Sequence, residues 1–487
     1  MLLHPPQQSK PNHPTLDETF FIKRRVLYFR RFDAISGIFG IRRARVNNGS
    51  KDQMKIRCIY PRFRKFLEGH TILDGMLKQY LVGNYTMPPS LALPIIAALT
   101  PPEIELLLTD DNINQPIDYR ENVDAVAISC FTPQAQRAYE IADQYRQQGT
   151  KVLLGGIHPT ALPQEAKRHA DAICIGEVEP VWNQMIEDLR AGRLQPFYRT
   201  EPGSYPLDRF PIPKREIFPQ NVYEWNAHLV LTTRGCPVQC IGCPIPGKEG
   251  TNVRLRPVDH IIADIQQMPY RQFYFTDDTI MLPGKKYTKF LLKVMERTAP
   301  LDVSIFLAST MMMIDDPIFY RKLKQGGVSS MYTIFGFDPV TIELFSKNCS
   351  PERWRKCVDL VRMNEDAGIH FFGSFGIGFD YQDRSTVDQI LQFCRESRID
   401  LAEFYIPTPF PGTPFGQKAH EQGRILHRNY NLWNHGNIVF KPKNFTEDEL
   451  LEDFYMLWRG FYSDKDPGRT LRTFDVVSNQ VCERTEE

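Results

Sequence analysis

The most telling absence is a fourth cysteine. In "TTRGCPVQCIGCPIPG" (Thr232–Gly247), Cys236, Cys240 and Cys243 stand close together, and no fourth thiol lies nearby. Other absences narrow the class. No run of about 18 apolar residues occurs, so no helical membrane span is expected. The opening "MLLHPPQQSKPNHP" lacks a charged segment followed by an apolar one, so it does not read as a secretory signal. Formal net charge is only +1 over 487 residues, leaving no global field to attract nucleic acid, and no nucleic-acid partner is expected. Ten cysteines are too sparse and irregular for a disulfide scaffold, which points to a reducing, cytoplasmic compartment. The other seven (Cys58, Cys130, Cys174, Cys349, Cys357, Cys394 and Cys482) lie mostly in apolar surroundings, where cysteine behaves as a small hydrophobe.

What is present is enough chain for roughly two to four domains. Residues 1–54 read as an extension with basic clusters at Lys23–Arg25, Arg30–Arg31 and Arg42–Arg45, interleaved with aromatics. Two readings stand: a solvated or packed extension, or a patch for an anionic ligand, lipid surface or nucleic acid, which would allow peripheral membrane association.

Residues 55–200 alternate short apolar runs with helical patterns. "KIRCIY", "EIELLL", "DAVAIS", "KVLLGG" and "DAICIG" read as buried parallel strands. The alternation predicts a Rossmann-like doubly wound sheet, which binds ligands at the carboxyl ends of its strands. The loops there hold Ser129, Thr132 and Gln134, then Gly155, Gly156, His158 and Thr160, then Gly176 and Glu177. Paired glycines admit a bulky ligand close to the backbone, or simply make a tight turn. A proline-rich linker over 201–222 follows. Residues 223–415 then repeat strand and helix six times, predicting a partial (β/α)6 barrel. The cysteine loop follows the first of these strands, on the face where barrels carry their active sites. Residues 416–487 form a helical carboxyl-terminal region in which Thr446 and Glu449 read as a capping box. The apolar stripe of that helix reads as core or as a lid over an apolar substrate.

A disulfide would strand one of the three cysteines, and structural zinc wants four ligands, for which neither His228 nor His260 is well placed. A nucleophilic cysteine needs one thiolate. An iron–sulfur cluster on three thiolates leaves one iron open for chemistry. The spacing Cys-x3-Cys-x2-Cys resembles the signature of the radical S-adenosylmethionine (SAM) superfamily. With "GGIHPTALPQEA", "IGEVEPVW", "RLRPVDHIIADI", "FYFTDDTI", "GIGFD" and "TPFPGTP", the chain is similar over about 55–463 to the subgroup that joins a cobalamin (B12)-binding-type domain to a radical SAM barrel.

The resemblance implies a [4Fe–4S] cluster on Cys236, Cys240 and Cys243, with SAM on its open iron. It implies SAM contacts from Thr276, Asp277 and Asp278 and from Gly336 and Asp338; Arg254 and Arg256 either reach a carboxylate or are surface charges. It also implies cobalamin at the first domain's loops. No Asp-x-His-x-x-Gly segment occurs, "TDDNINQ" standing in its place, so cobalamin is expected without a histidine ligand to cobalt. The implied reaction is methylation of an unactivated carbon of a small molecule, apolar in kind (a lipid, tetrapyrrole or specialised metabolite). The implied partner is an external one-electron reductant of flavodoxin or ferredoxin type. Alternatives are another radical reaction on the same scaffold (cyclisation, oxidation or C–C coupling), with cobalamin retained or lost, and a module whose cluster only relays electrons. Gly242 departs from the subgroup, which has an aromatic just before the third cysteine, and predicts looser packing near the adenine.

Overall fold

A computed structural model of the chain describes residues 53–70, 90–218, 228–268, 271–278, 280–282, 284–312, 314–463 and 465–466. The basic clusters of the amino-terminal extension and the final charged tail lie outside the described residues.

The first sheet is fully parallel and runs β2-β1-β3-β4-β5-β6, from β1 (Lys55–Tyr60), β2 (Glu105–Asp110), β3 (Ala125–Ser129), β4 (Lys151–Gly155), β5 (Ala172–Ile175) and β6 (Phe197–Arg199). Helices cover both faces, so interior strand positions are apolar: Val126, Val152 and Ile173 are fully buried. The helices Ala135–Gln147 and Trp182–Arg190 give way to Gly149 and Gly192, both at positive φ, where the chain must turn left-handed. The strand order reverses between β1 and β3, which opens a crevice at their carboxyl ends. Three local readings shift. The strand expected at "EIELLL" starts two residues later, Ile157–Ala161 is a helical turn within the expected loop, and β6 was not foreseen because three residues carry no readable period.

The second sheet is also parallel, in the order β14-β13-β12-β11-β10-β7. It contains β7 (His228–Val230), β10 (Gln272–Phe275), β11 (Ser304–Ser309), β12 (Val328–Phe335), β13 (His370–Gly376) and β14 (Leu401–Tyr405). A two-residue hairpin of β8 (Thr233–Arg234) with β9 (Arg254–Leu255) brackets the cysteine loop. These are the six strands that the sequence predicts, in an open barrel with β7 and β14 as edges. Alternate residues face outward into a large core: Met331, Phe335, Phe371, Phe375 and Phe404 pack there with Phe393 and Trp458. The inward face carries Tyr274, Phe306, Tyr332 and Phe372.

The helix Glu447–Tyr462 closes the barrel's outer layer. Its capping box is formed as read: Glu449 N–H donates to Thr446 Oγ1 (3.2 Å), and Glu449 Oε2 accepts from Thr446 N–H (2.8 Å). Leu450, Phe454, Leu457 and Trp458 are buried, so the stripe is core and the lid reading falls. The proline-rich connector is also packed, with Leu207 and Phe210 buried against Ile95 and Leu231. No helix among the described residues is long and apolar enough to cross a membrane.

Candidate active site

The cysteine loop is held from three sides. Cys236 N–H donates to Gly250 O (3.1 Å), Ile241 N–H donates to Phe337 O (3.0 Å), and Phe415 N–H donates to Ile241 O (2.8 Å). Gly235 must be glycine: its φ is +89°, and a Cβ there would lie 2.4 Å from Asn252 O. All three cysteines are free thiols, and Cys236 and Cys240 share an apolar cluster with Val238, Val253 and Leu282. Burial pushes all three thiols up, that of Cys243 to about 12, and in Cys240 the neighbouring Asp338, Cys243 and Cys236 add to it. Among the described residues no three His, Cys, Asp or Glu side chains converge tightly enough for a single metal ion. Three neighbouring thiols on one braced loop, two of them in an apolar shell, are residues that would hold an iron–sulfur cluster.

Packing at Gly242 is not loose, contrary to the reading from sequence. The Phe337 ring lies against it, and a Cβ on Gly242 would sit 2.1 Å from Phe337 Cε1. The aromatic missing before the third cysteine is thus supplied from the loop after β12. That ring stacks on Tyr405 (5.5 Å between centroids, 14°).

Both aspartates of "TDD" are engaged by the cysteine loop. Asp277 accepts from Thr232 N–H (2.7 Å), Thr232 Oγ1 (2.9 Å) and Thr233 N–H, and Asp278 accepts from Gly235 N–H (2.7 Å). Burial raises Asp277 to about 6 despite these donors, and burial together with Glu249 raises Asp278 well above the usual carboxylate range. Asp338 caps the helix Pro339–Leu344 through Val340 N–H (3.0 Å) and Thr341 N–H (3.2 Å). Gly336 sits at φ +121°, with Phe379 where a Cβ would go.

A cavity of about 340 Å³ lies where the carboxyl edges of the two sheets meet. Ser129, Gly155, Gly156, Gly176 and Glu177 reach it from the first domain, and Thr276 and Asp278 from the barrel. Gly156 has φ +103°, and a Cβ there would strike Cys130 O at 2.4 Å. The other first-domain candidates face inward. His158 is fully buried, with Nδ1 on Thr132 Oγ1 (3.2 Å) and Nε2 on Tyr139 Oη (3.0 Å). Thr160 Oγ1 accepts from Gly176 N–H (3.1 Å), and the Gln134 side chain accepts from Phe131 N–H (3.2 Å) and donates to Pro61 O. These four residues brace the loops rather than border the cavity.

The sequence reading missed a charged cluster on the cavity wall. Glu177 accepts from Arg234 (2.8 Å) and Arg254 (2.9 Å), Arg234 also pairs with Glu179 (2.8 Å), and Lys248 pairs with Glu249. Arg254 and Arg256 are therefore not surface charges: Arg256 is fully buried on Asp264 (2.7 Å). The Arg in "TTRGCP" and the clustered acids of "GEVE" were the visible signal, but nothing local pairs them.

Comparison with known proteins agrees with this architecture. The B12 binding domain family matches residues 89–183 and the radical SAM superfamily matches residues 230–394. The bacteriochlorophyllide d C-8(2)-methyltransferase of Chlorobaculum tepidum is 28% identical over 376 residues, covering 73% of this chain and 81% of that protein. The hopanoid C-2 methylase of Rhodopseudomonas palustris is 24% identical over 77% of this chain and 71% of its own length. The anaerobic magnesium-protoporphyrin IX monomethyl ester cyclase of Cereibacter sphaeroides is 24% identical over 70% and 60%. In fold, the chain resembles the radical SAM methyltransferase TsrM of Kitasatospora setae (TM-score 0.56, 16% identity, 76% of each chain). The chain joins a B12-binding domain to a radical SAM domain and is an enzyme of the radical SAM superfamily.

Proposed function

We propose that this enzyme transfers a methyl group to an unactivated carbon of a small, largely apolar molecule of the lipid, tetrapyrrole or specialised-metabolite kind. The observation that carries the reading is a cavity bordered both by the first domain's glycine loops and by Thr276 and Asp278 of the barrel. A methyl carrier and a radical source would meet there. When bound, the cluster supplies an electron to the SAM sulfonium and cobalamin supplies the methyl group; the protein positions both.

Cys236, Cys240 and Cys243 hold the cluster. Thr276 and Asp278 contact SAM from the cavity wall, while Asp277, Gly336 and Asp338 fix the loops around it. Ser129, Gly155, Gly156, Gly176 and Glu177 contact cobalamin, with Thr132, Gln134, His158 and Thr160 behind them. Cobalamin would bind without a histidine on cobalt, since "TDDNINQ" stands where an Asp-x-His-x-x-Gly segment would be. The domain bounds are 55–200, 201–222, 223–415 and 416–487. One SAM would supply the methyl group that cobalamin carries. A second, reduced by one electron and giving up methionine, would supply the 5′-deoxyadenosyl group that removes a hydrogen atom from the substrate carbon, and the carried methyl group would take that hydrogen's place. Single electrons come from an external reductant of flavodoxin or ferredoxin type.

Anaerobic reconstitution tests the reading. Absorption reports cluster and cobalamin, and turnover is expected to yield 5′-deoxyadenosine together with S-adenosylhomocysteine. Deoxyadenosine alone would favour the second reading, another radical reaction on the same scaffold, which the likeness to the cyclase supports. A Cys243→Ala protein that still makes deoxyadenosine would overturn the cluster assignment.

A further inference from the structure

The inner face of the barrel sheet is more open than a packed core allows. β12 is a central strand, flanked by β11 and β13, yet Ile334 near its carboxyl end is 42% exposed. Tyr274, Tyr332 and Phe372 share that face and are each partly exposed. A central strand exposes large apolar side chains on its inner face only when the lumen is a chamber rather than a filled interior.

One acidic side chain projects into this apolar lining. Glu403 on β14 takes both of its hydrogen bonds on a single oxygen, from Tyr332 Oη (2.6 Å) and Ser374 Oγ (2.8 Å), each to Oε1. Among the described residues, Oε2 has no hydrogen-bond partner, and the side chain is partly exposed. Ser374 lies on the adjacent strand β13 and Tyr332 on β12 beyond it, so three consecutive strands fix the carboxyl group in one orientation. The lumen therefore presents a largely apolar wall in which Glu403 Oε2 is a fixed acceptor.

The geometry points to Glu403, oriented by Tyr332 and Ser374, as the polar anchor of the substrate chamber, holding a bulky, largely apolar molecule through one N–H or O–H group donated to Glu403 Oε2. This deepens the methyl-transfer reading and rests on the barrel being the reaction chamber. The chemistry selects the ligand class: apolar bulk fits the Tyr332, Ile334 and Phe372 wall, and one donor satisfies an oxygen that otherwise loses its water on binding. Burial pushes Glu403 up, and a ligand donor on Oε2 would favour its charged form.

The test uses the anaerobically reconstituted full chain at alkaline pH and two fluorescent probes. N-phenyl-1-naphthylamine is apolar and fused-ring with one N–H; its N-methyl derivative lacks the donor. Wild type is expected to bind the N–H probe roughly tenfold more tightly. Glu403→Leu and Glu403→Gln are both expected to bring that ratio to about one. The Gln variant keeps an oxygen for Tyr332 and Ser374, so it stands if the Leu variant fails to fold. A ratio unchanged in the Gln variant, absence of probe binding by wild type, or displacement of the probe by SAM would each overturn the anchor. Failure of the methyl-transfer reading is seen separately, as turnover without S-adenosylhomocysteine while the probe ratio holds.

Discussion

Gly242 and Phe337 occupy one site between them: the ring fills the volume that a side chain on Gly242 would need, with 2.1 Å from a Cβ to Cε1. The pair joins the cysteine loop to the loop after β12, and the hydrogen bond from Ile241 N–H to Phe337 O runs beside it. Gly242→Ala is expected to cost about 1–3 kcal/mol by overpacking and to lower iron and sulfide content after reconstitution. Adding Phe337→Ala frees the space and is expected to recover iron content. Equal iron in wild type and the Gly242→Ala protein would show that the pair is not tight.

Glu177 couples the cavity wall to the cysteine hairpin. Its side chain is wholly buried between Arg234 and Arg254. Glu177→Ala leaves two buried guanidinium groups short of their carboxylate and is expected to cost about 3–5 kcal/mol. Urea denaturation checks this, with exposed Glu201→Ala as the control, expected to stay within about 0.5 kcal/mol of wild type.

The strands of both sheets, the three-residue β6 apart, were legible because buried parallel strands are short apolar runs between helical patterns. The cavity's glycines were legible because a doubly wound sheet puts its ligand loops on one edge. What could not be read is pairing over distance. Nothing near Gly242 announces that Phe337 will fill its place, and nothing near Arg234 announces Glu177. His158 marks the opposite limit: a histidine in a glycine-rich segment reads as a ligand contact, but here Thr132, Tyr139 and Glu165 engage its ring and burial is complete. A braced histidine and a ligand-facing one have the same local sequence.

His435 sets a pH dependence. It sits at φ +65° among Phe337, Tyr405 and Phe410, with Nδ1 on Ile406 O (3.3 Å). Burial pushes it from 6.5 down to about 4, and burial does the same to His228. Between those values the unfolded chain binds more protons, so stability falls as pH drops from 6.5 towards 4, by roughly 3 kcal/mol per histidine. His435→Asn tolerates the left-handed backbone and is expected to remove about one proton from the slope. Urea midpoints measured across that range check it; an unchanged slope would mean that His435 titrates normally.

The carboxyl-terminal segment is tied to the first domain at Glu165. Oε2 accepts from Tyr430 Oη (3.1 Å), and Oε1 accepts from Tyr139 Oη (3.2 Å) and lies 3.3 Å from His158 Nε2. Burial alone would raise Glu165, but the hydrogen bonds from His158, Tyr430 and Tyr139 outweigh it and hold it below the usual range. The carboxylate is therefore charged at neutral pH, and a donor lost from it costs about 1.5–3 kcal/mol. Tyr430→Phe keeps the ring packed on Trp433 and His158 and removes only that donor. Hydrogen exchange at Leu432 and Trp433 is expected to quicken by roughly tenfold or more, while amides of β12 and β13 keep their rates. Equal acceleration in the barrel strands would instead mean that Tyr430 supports the whole fold, and no change at Leu432 would mean that ring packing alone holds the segment in place.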